Sequence, residues 1–256
     1  MVTSLPESVQ LRFVLVEPRS GGNVGAAARA LKNLGFHRLE VVNPRCDPKG
    51  SEAMRMAVDA ADLLSELPVH RGLDQALGRA TTVIGTSRRT GKHRRPHRRL
   101  DEAAEDLARL AAAGETAVLF GREDHGLSDV ELDRCTHLVH LPAAEVYPSF
   151  NLAQSVLLVA YELRRARLRP SGPDRDPPTA PAGHDEREAM YRHLQRSLTT
   201  IGFLKPQSSE VIMRQIRRAL GRAELSPSEV RILRGIAHQI LWAAAVAGLD
   251  EAEDAR

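Results

Sequence analysis

The chain has 256 residues, 42% of them hydrophobic, and carries 36 Lys and Arg against 33 Asp and Glu. This size allows a substantial core in one or two domains, and a nearly balanced charge by itself indicates neither nucleic acid nor membrane as a partner. Cys46 and Cys135, the only cysteines, lack the spacing of a zinc site or a disulfide framework, which fits a reducing compartment. With no apolar run of about 18 residues and no leader pattern, we expect a cytoplasmic protein. Because the cysteines lack the spacing of a zinc site, we also expect that the protein needs no metal.

Short apolar strands alternate with helical segments along the first 168 residues. The predicted strands are residues 11–16, 38–42, 81–85, 117–120 and 138–141. The predicted helices are residues 23–34, capped by Asn23, then 51–64, 73–77 and the segment that follows Asn151. Such alternation is typical of α/β proteins, so we predict a domain of residues 1–168 with a mostly parallel sheet and helices on both faces.

The composition changes after residue 168. Residues 169–184 are rich in proline and predict an extended, semi-stiff linker. Apolar residues then recur at helical spacing, and residues 226–229 (S-P-S-E) form a capping box that opens the last helix. We therefore predict a small helical extension over residues 185–249 and a charged tail over residues 250–256.

Polar residues follow the predicted strands at the carboxyl ends, where a parallel sheet places its chemistry. Gly21, Gly22 and Gly25 surround a helix N-terminus, which either attracts an anion or forms a tight turn; the glycines fit both equally. Residues 123–125 (E-D-H) resemble a metal cluster, but consecutive residues rarely converge on one ion. The missing G-x-G-x-x-G fingerprint disfavours a nicotinamide-dependent oxidoreductase.

Two further positions leave alternatives open. Arg29 lies in an otherwise small, apolar helical stretch, where an exposed or paired arginine is about twice as common as a functional one. Ser149 and Asn151 precede the final helix, so they either cap it or belong to a site.

One block of the chain is strongly basic. Residues 88–99 (R-R-T-G-K-H-R-R-P-H-R-R) contain no acid, and such a block repels itself unless an anion lies nearby. We therefore expect it to contact RNA phosphates. The cations concerned are Arg88, Arg89, Lys92, Arg94, Arg95, Arg98 and Arg99. A weaker signal is a row of arginines on one helix face of the extension: Arg214, Arg217, Arg218 and Arg222.

Three stretches together resemble a known family. Residues 22–30 (G-N-V-G-A-A-A-R-A), 119–128 (L-F-G-R-E-x-x-G-L-S) and 148–163 (P-S-F-N-L-A-Q-S-V-x-x-x-A-Y-E-L) resemble, in order and spacing, the three motifs of the SPOUT-class, TrmH-like RNA ribose methyltransferases. The helical extension is most similar to their TrmJ branch. The resemblance implies a C-terminal trefoil knot, a homodimer, and S-adenosyl-L-methionine as methyl donor. It also implies tRNA as substrate, modified on the ribose of cytidine or uridine 32.

The resemblance implies roles for individual residues. The catalytic set that it implies is Arg29, Asn23, Glu123, Ser149 and Asn151. The residues that it places around the cofactor are Thr86, Ser87, Arg88, Gly121, Leu141, Pro148, Ser149 and Phe150. Because a guanidinium is a poor proton acceptor at neutral pH, we expect Arg29 to stabilise the developing alkoxide rather than to act as a base. Arg88 and Phe150 depart from the family pattern, which usually has a small residue and a leucine there.

Two alternatives accompany this interpretation. The chain could be an RNA-binding module of the same fold without transferase activity, or a ribose methyltransferase that acts on another RNA such as rRNA. Methyl transfer from labelled S-adenosylmethionine to unmodified tRNA distinguishes all three.

Overall fold

A computed structural model describes residues 11–87, 97–146, 149–168 and 181–248. Within these residues seven strands form one sheet in the order β3-β2-β1-β6-β4-β7-β5, and every neighbouring pair is parallel. The strands are β1 (Leu11–Val16), β2 (Leu39–Val42), β3 (Val69–His70), β4 (Thr82–Thr86), β5 (Arg98–Arg99), β6 (Thr116–Phe120) and β7 (His137–His140). The predicted mostly parallel sheet is confirmed.

Seven helices accompany the sheet in this part of the described chain. They are α1 (Gly21–Asn33), α2 (Ser51–Ala57), α3 (Ala61–Ser65), α4 (Leu73–Leu77), α5 (Leu100–Ala113), α6 (Asp129–Leu132) and α7 (Leu152–Leu168). Apolar side chains alternate across β1: Phe13 and Leu15 join the core with α1, α5 and α7, while Val14 and Val16 join that with α4 and α6. Helices therefore cover both faces, as predicted.

Some local predictions were wrong. The predicted helix over residues 51–64 is interrupted by a 3-10 turn (Val58–Ala60), and Val58 has a φ of 53°. The strands β3 and β5 were not predicted, because two residues are too few to show a period. Both lie at the sheet edges and exist through their pairing with β2 and β7.

The N-terminus of α1 also differs from the prediction. Its cap is Ser20, whose Oγ accepts the amide hydrogen of Asn23 at 3.3 Å, so Asn23 is not the cap. Gly25 is required where α1 crosses α2, since a Cβ atom there would lie 2.0 Å from the carbonyl oxygen of Ala53. Close helix packing, rather than anion binding, explains this glycine.

The chain divides into two compact units, residues 1–180 and 181–256. The second contains α8 (His184–Thr200), α9 (Ser209–Leu220) and α10 (Pro227–Val246), around buried Met190, Met213, Val230 and Ala237. The capping box is present: Ser226 Oγ accepts from the Glu229 amide, and the Glu229 carboxylate accepts from the Ser226 amide. The predicted helical extension is therefore confirmed, while the predicted knot stays a prediction. Over the described ranges, every helix is too short or too polar to cross a bilayer.

Candidate active site

A cavity opens at the carboxyl ends of β4, β6 and β7, the edge at which parallel sheets place their chemistry. The cavity wall contains Thr86, the last residue of β4, and Ser87 after it. It also contains Gly121, directly after β6, and Leu141, directly after β7. Ser149 and Phe150, before α7, complete the wall. The structure thus brings together six of the residues predicted around the cofactor. Arg88 and Pro148, the other two, lie outside the described residues.

The loop after β6 forms one wall through its main chain. The Gly126 amide donates to the Arg122 carbonyl oxygen at 2.9 Å and closes a tight turn, in which Gly126 has a φ of 70°. A Cβ atom on Gly121 would lie 2.0 Å from the Gly126 carbonyl carbon. Only glycine fits position 121, so the residue shapes the loop whatever it binds.

Arg122 anchors this loop from behind. Its guanidinium donates to Glu131 at 3.0 Å from each of two nitrogens and to Glu17, at the end of β1, at 3.1 Å. These hydrogen bonds raise the pKa of Arg122, and the one from Arg122 is the main cause that lowers the pKa of Glu17. Sequence reasoning missed Glu17 and Glu131. The Glu131 signal was readable, because Ser128 and Glu131 form a capping box at α6.

Glu123 lies against the N-terminus of α1. Its carboxylate accepts the Arg19 amide at 3.1 Å, the Ser20 amide at 3.3 Å and Asn23 Nδ2 at 2.9 Å. The anion that a helix N-terminus attracts is thus supplied from within the chain. The hypothesis that Gly21, Gly22 and Gly25 attract an external anion here loses its main support.

The hydrogen bonds continue from Glu123 to the third motif. Asn23 Oδ1 accepts from Asn151 Nδ2 at 2.9 Å, and Asn151 Oδ1 accepts the Ala153 amide at 2.8 Å, which caps α7. Asn151 therefore has both roles that its position allowed. Glu123, Asn23 and Asn151 form one chain of hydrogen bonds, which we call the motif relay.

Arg29 is not part of this cavity. It lies on the exposed side of α1, is absent from the cavity wall, and has no hydrogen bond or ion pair with any described residue. The structure therefore brings four of the five predicted catalytic residues together at the cavity edge and leaves Arg29 apart.

Asp124 and His125 also line the cavity. Asp124 pairs with Arg19 at 2.5 Å and with His125 Nδ1 at 3.0 Å. Burial raises the pKa of Asp124, but its partners outweigh burial, so the pKa is lowered overall. Within the described ranges no three His, Cys, Asp or Glu side chains converge as a metal site would require. The resemblance leaves both as variable loop residues, whereas the structure places them on the cavity wall.

Only the end of the basic block is described. Arg98 pairs with Asp106 at 2.9 Å, and Arg99 pairs with Asp101 at 2.9 Å. Both arginines remain exposed, so these pairs are weak and exchangeable. The remaining predicted RNA contacts, Arg88, Arg89, Lys92, Arg94 and Arg95, lie outside the described residues.

Comparison with known proteins connects this geometry to a family. The SpoU rRNA Methylase family matches residues 10–161, and the C-terminal domain of tRNA methyltransferase TrmJ matches residues 185–251. A protein of Pseudomonas aeruginosa (strain UCBPP-PA14), named tRNA (cytidine/uridine/adenosine-2'-O-)-methyltransferase TrmJ, is 39% identical over 239 residues, covering 89% of this chain and 92% of the relative. One of Pectobacterium atrosepticum, named tRNA (cytidine/uridine-2'-O-)-methyltransferase TrmJ, is 37% identical over 229 residues, covering 88% and 94%.

The crystal structure of TrmJ from Z. mobilis ZM4 superposes with a TM-score of 0.78 at 30% identity, covering 90% of this chain and 98% of that one. Similarity thus extends over the sheet with its cavity and over the helical extension alike. The chain accordingly belongs to the SpoU methylase family, in its TrmJ branch.

Proposed function

We propose that this protein transfers a methyl group from S-adenosyl-L-methionine to a ribose 2′-hydroxyl of tRNA. The observation that carries the proposal is the cavity at the ends of β4, β6 and β7, whose wall contains six residues expected around the cofactor. The relatives named above are tRNA 2′-O-methyltransferases and match the chain over nearly its whole length.

The cavity wall suits a ligand with both apolar and polar parts. Leu141 and Phe150 offer apolar surface for a flat base, Ser149 offers a hydroxyl, and Thr86 offers a hydroxyl oxygen, since its hydrogen is donated to Leu119. Gly121 also lines the cavity, so its main chain can approach a ligand closely. When bound, S-adenosylmethionine supplies an electrophilic methyl group; the residues of the chain hold it, exclude water and position the acceptor hydroxyl.

The motif relay positions the polar residues of the site. Glu123 holds Asn23, and Asn23 holds Asn151, so the start of α1 and the start of α7 keep a fixed separation beside the cavity. Ser149 and Asn151 then face the acceptor nucleotide. Pre-organised dipoles of this kind stabilise developing charge without the cost of reorienting during the reaction.

The target within tRNA is nucleotide 32 of the anticodon loop, cytidine or uridine. This finer assignment rests on the TrmJ branch alone. The relatives differ in the bases that their names include, since that of P. aeruginosa adds adenosine.

The active form is a homodimer. Helix α7 exposes Leu157 and Tyr161 (43% and 52% of their surfaces), which offer an apolar face to a second copy. Arg29 is uncommitted within the described chain and lies away from the cavity, so it is available to a site that two copies complete. In that site it stabilises the alkoxide that forms on the ribose.

One experiment tests the proposal. The protein is incubated with methyl-labelled S-adenosylmethionine and unmodified tRNA, and the labelled ribose is mapped by digestion. Label on the 2′-oxygen of nucleotide 32 is expected. Tight tRNA binding without label would favour an RNA-binding module, and label on rRNA but not tRNA would change the substrate.

A further inference from the structure

The arginines of the helical extension are not equally available. On α9, Arg217 is held by Glu188 at 2.5 and 2.9 Å and lies over the ring of Tyr191 at 4.3 Å, and Arg214 pairs with Glu210 at 3.1 Å. The α9 arginines that the sequence pointed to are therefore partly used within the fold.

In contrast, α8 and α10 carry exposed arginines without such partners among the described residues. Arg196 of α8 and Arg234 of α10 are exposed, and their guanidiniums have no ion pair or hydrogen bond with any residue of the described ranges. Between them lie His193 and His238, whose ring centroids are 6.5 Å apart. Two helices thus place four basic side chains on one face, which we call the α8–α10 face.

The charges on this face act on one another. Burial, together with the positive charges of Arg234, His238 and Arg196, lowers the pKa of His193. Since the charges that face His193 from its own helix and from α10 are all positive, protonating it is unfavourable until an anion arrives. A self-repelling cluster of this kind is typical of a surface whose partner is a polyanion.

An exposed aromatic side chain lies on the same stripe of α10. Arg231, Arg234, His238 and Trp242 follow one another at spacings of three, four and four residues, so they share one helix face. The Trp242 side chain is 60% exposed. An exposed indole beside available cations is the combination that proteins use to stack an unpaired base and hold its phosphates.

We propose that the α8–α10 face is an RNA-binding surface, on which Arg196 and Arg234 contact phosphates and Trp242 stacks on an unpaired base. The proposal rests on tRNA as the substrate and names a second contact on it, within the extension. Contact with the tRNA phosphates favours the protonated form of His193, whose pKa is lowered in the free protein, so tRNA binds more tightly as the pH falls from 8 to 6.

Trp242 makes the test direct, because it is the only tryptophan of the chain. Unmodified tRNA titrated into the full-length protein should change its fluorescence saturably. Heparin, a polyanion without bases, should bind more weakly and leave the indole signal almost unchanged. An equal change with heparin would overturn the stacking assignment.

Substitutions then separate specific contacts from net charge. Arg234→Gln should weaken tRNA binding several-fold and reduce the log-log salt slope by about 0.7 to 0.9, the value for one phosphate contact. Arg214→Gln removes the same charge from a paired arginine on α9 and should have little effect. Trp242→Ala should weaken binding about tenfold, and Trp242→Phe should restore most of the affinity. Equal effects of Arg234→Gln and Arg214→Gln, or none of Trp242→Ala, would overturn the proposal.

The contribution of His193 is tested separately, through the pH dependence of tRNA binding. The variant His193→Gln should bind tRNA with an affinity that rises less between pH 8 and pH 6 than that of the natural chain. An unchanged pH profile would remove His193 from the surface. Methyl transfer by the unmodified chain is measured separately: its absence would refute the proposed reaction, while transfer without any loss of affinity in these variants would refute only the α8–α10 face.

Discussion

Arg29 is the residue on which the proposed chemistry depends most and the fold depends least. It is exposed and without a partner among the described residues. Arg29→Ala should therefore change the free energy of unfolding by no more than about 0.5 kcal/mol. Turnover should fall roughly 100-fold or more, because the role proposed for the guanidinium is to stabilise the transition state. Single-turnover methylation and calorimetry with S-adenosylmethionine measure the two effects, and an equal loss of cofactor affinity would make Arg29 a structural residue.

Glu17 gives the site a dependence on pH. The hydrogen bond from Arg122 is the main cause that lowers its pKa in the folded chain. A carboxyl whose pKa is lowered on folding stabilises the fold above its unfolded value of about 4.3 and loses that contribution as the pH falls through the folded value. Glu17→Gln should therefore destabilise the protein at pH 7, and its difference from the natural chain should shrink below about pH 4. Denaturant unfolding at both pH values measures this, and a pH-independent difference would contradict it.

For single residues, the sequence predicted the chemistry of which a side chain is capable better than the contacts that the side chain makes in the fold. Ser149 and Phe150 were expected at the cavity and lie there, yet the same motifs predicted Arg29 beside them. A motif records which residues occur together in a family and not whether one chain brings them together. The ion pair of Arg122 with Glu17 could not be predicted either, since Glu17 is 105 positions away.

At the scale of elements, the close crossing of α1 and α2 fixes where the motif relay begins. Gly25→Ala would place a methyl group 2.0 Å from the Ala53 carbonyl oxygen, so the helices must separate. We expect a decrease of about 1 to 3 kcal/mol in the free energy of unfolding and weaker cofactor binding.

Gly235 of α10 provides the matched control. A Cβ atom there meets nothing within 4 Å of it, so Gly235→Ala should stabilise its helix by up to about 1 kcal/mol. Urea unfolding of both variants gives the comparison. Equal effects would show that helix propensity, and not the crossing, decides the cost at position 25.

Most strands and helices with a full period were predicted, although α5 (Leu100–Ala113) was not, and the two-residue strands and the break after α2 were not predicted either. Six buried residues in β1 and the capping box of α10 are local signals. By contrast, β3 and β5 exist only because neighbouring strands pair with them, and the break at Val58 has no signal that periodicity could detect. Tertiary pairing decides such elements.

At the scale of the whole molecule, our proposals assign methyl transfer to the first compact unit and a tRNA contact to the second. Every described residue of the cavity lies in residues 1–180, so that fragment should bind S-adenosylmethionine with the affinity of the full chain. It should bind tRNA more weakly and with a smaller salt slope, because the α8–α10 face is missing. Calorimetry and filter binding measure the two affinities. Unaltered tRNA affinity and slope would show that the extension serves another purpose.

The basic block should contribute independently of the extension. Replacing Arg94, Arg95, Arg98 and Arg99 by Gln should lower the salt slope by about 0.7 to 0.9 for each phosphate that the protein no longer binds, and should leave cofactor affinity unchanged. For Arg98 and Arg99, a smaller effect is expected, since each already has an acidic partner on α5. Binding of tRNA at several salt concentrations by two double variants, Arg94→Gln with Arg95→Gln and Arg98→Gln with Arg99→Gln, tests this order, and a larger effect of the second would contradict it.

The motif relay has a kinetic consequence. Its two hydrogen bonds between side chains span 100 and 128 positions of the sequence, so the cavity exists only after the start of α7 has docked against α1. Contacts of such long range form slowly, because a large loop must close before any of them can form. During synthesis the growing chain cannot complete the relay until residue 151 has left the ribosome. Cofactor binding is therefore among the last properties that the nascent domain acquires, and the ligand stabilises the finished fold without accelerating the steps that lead to it.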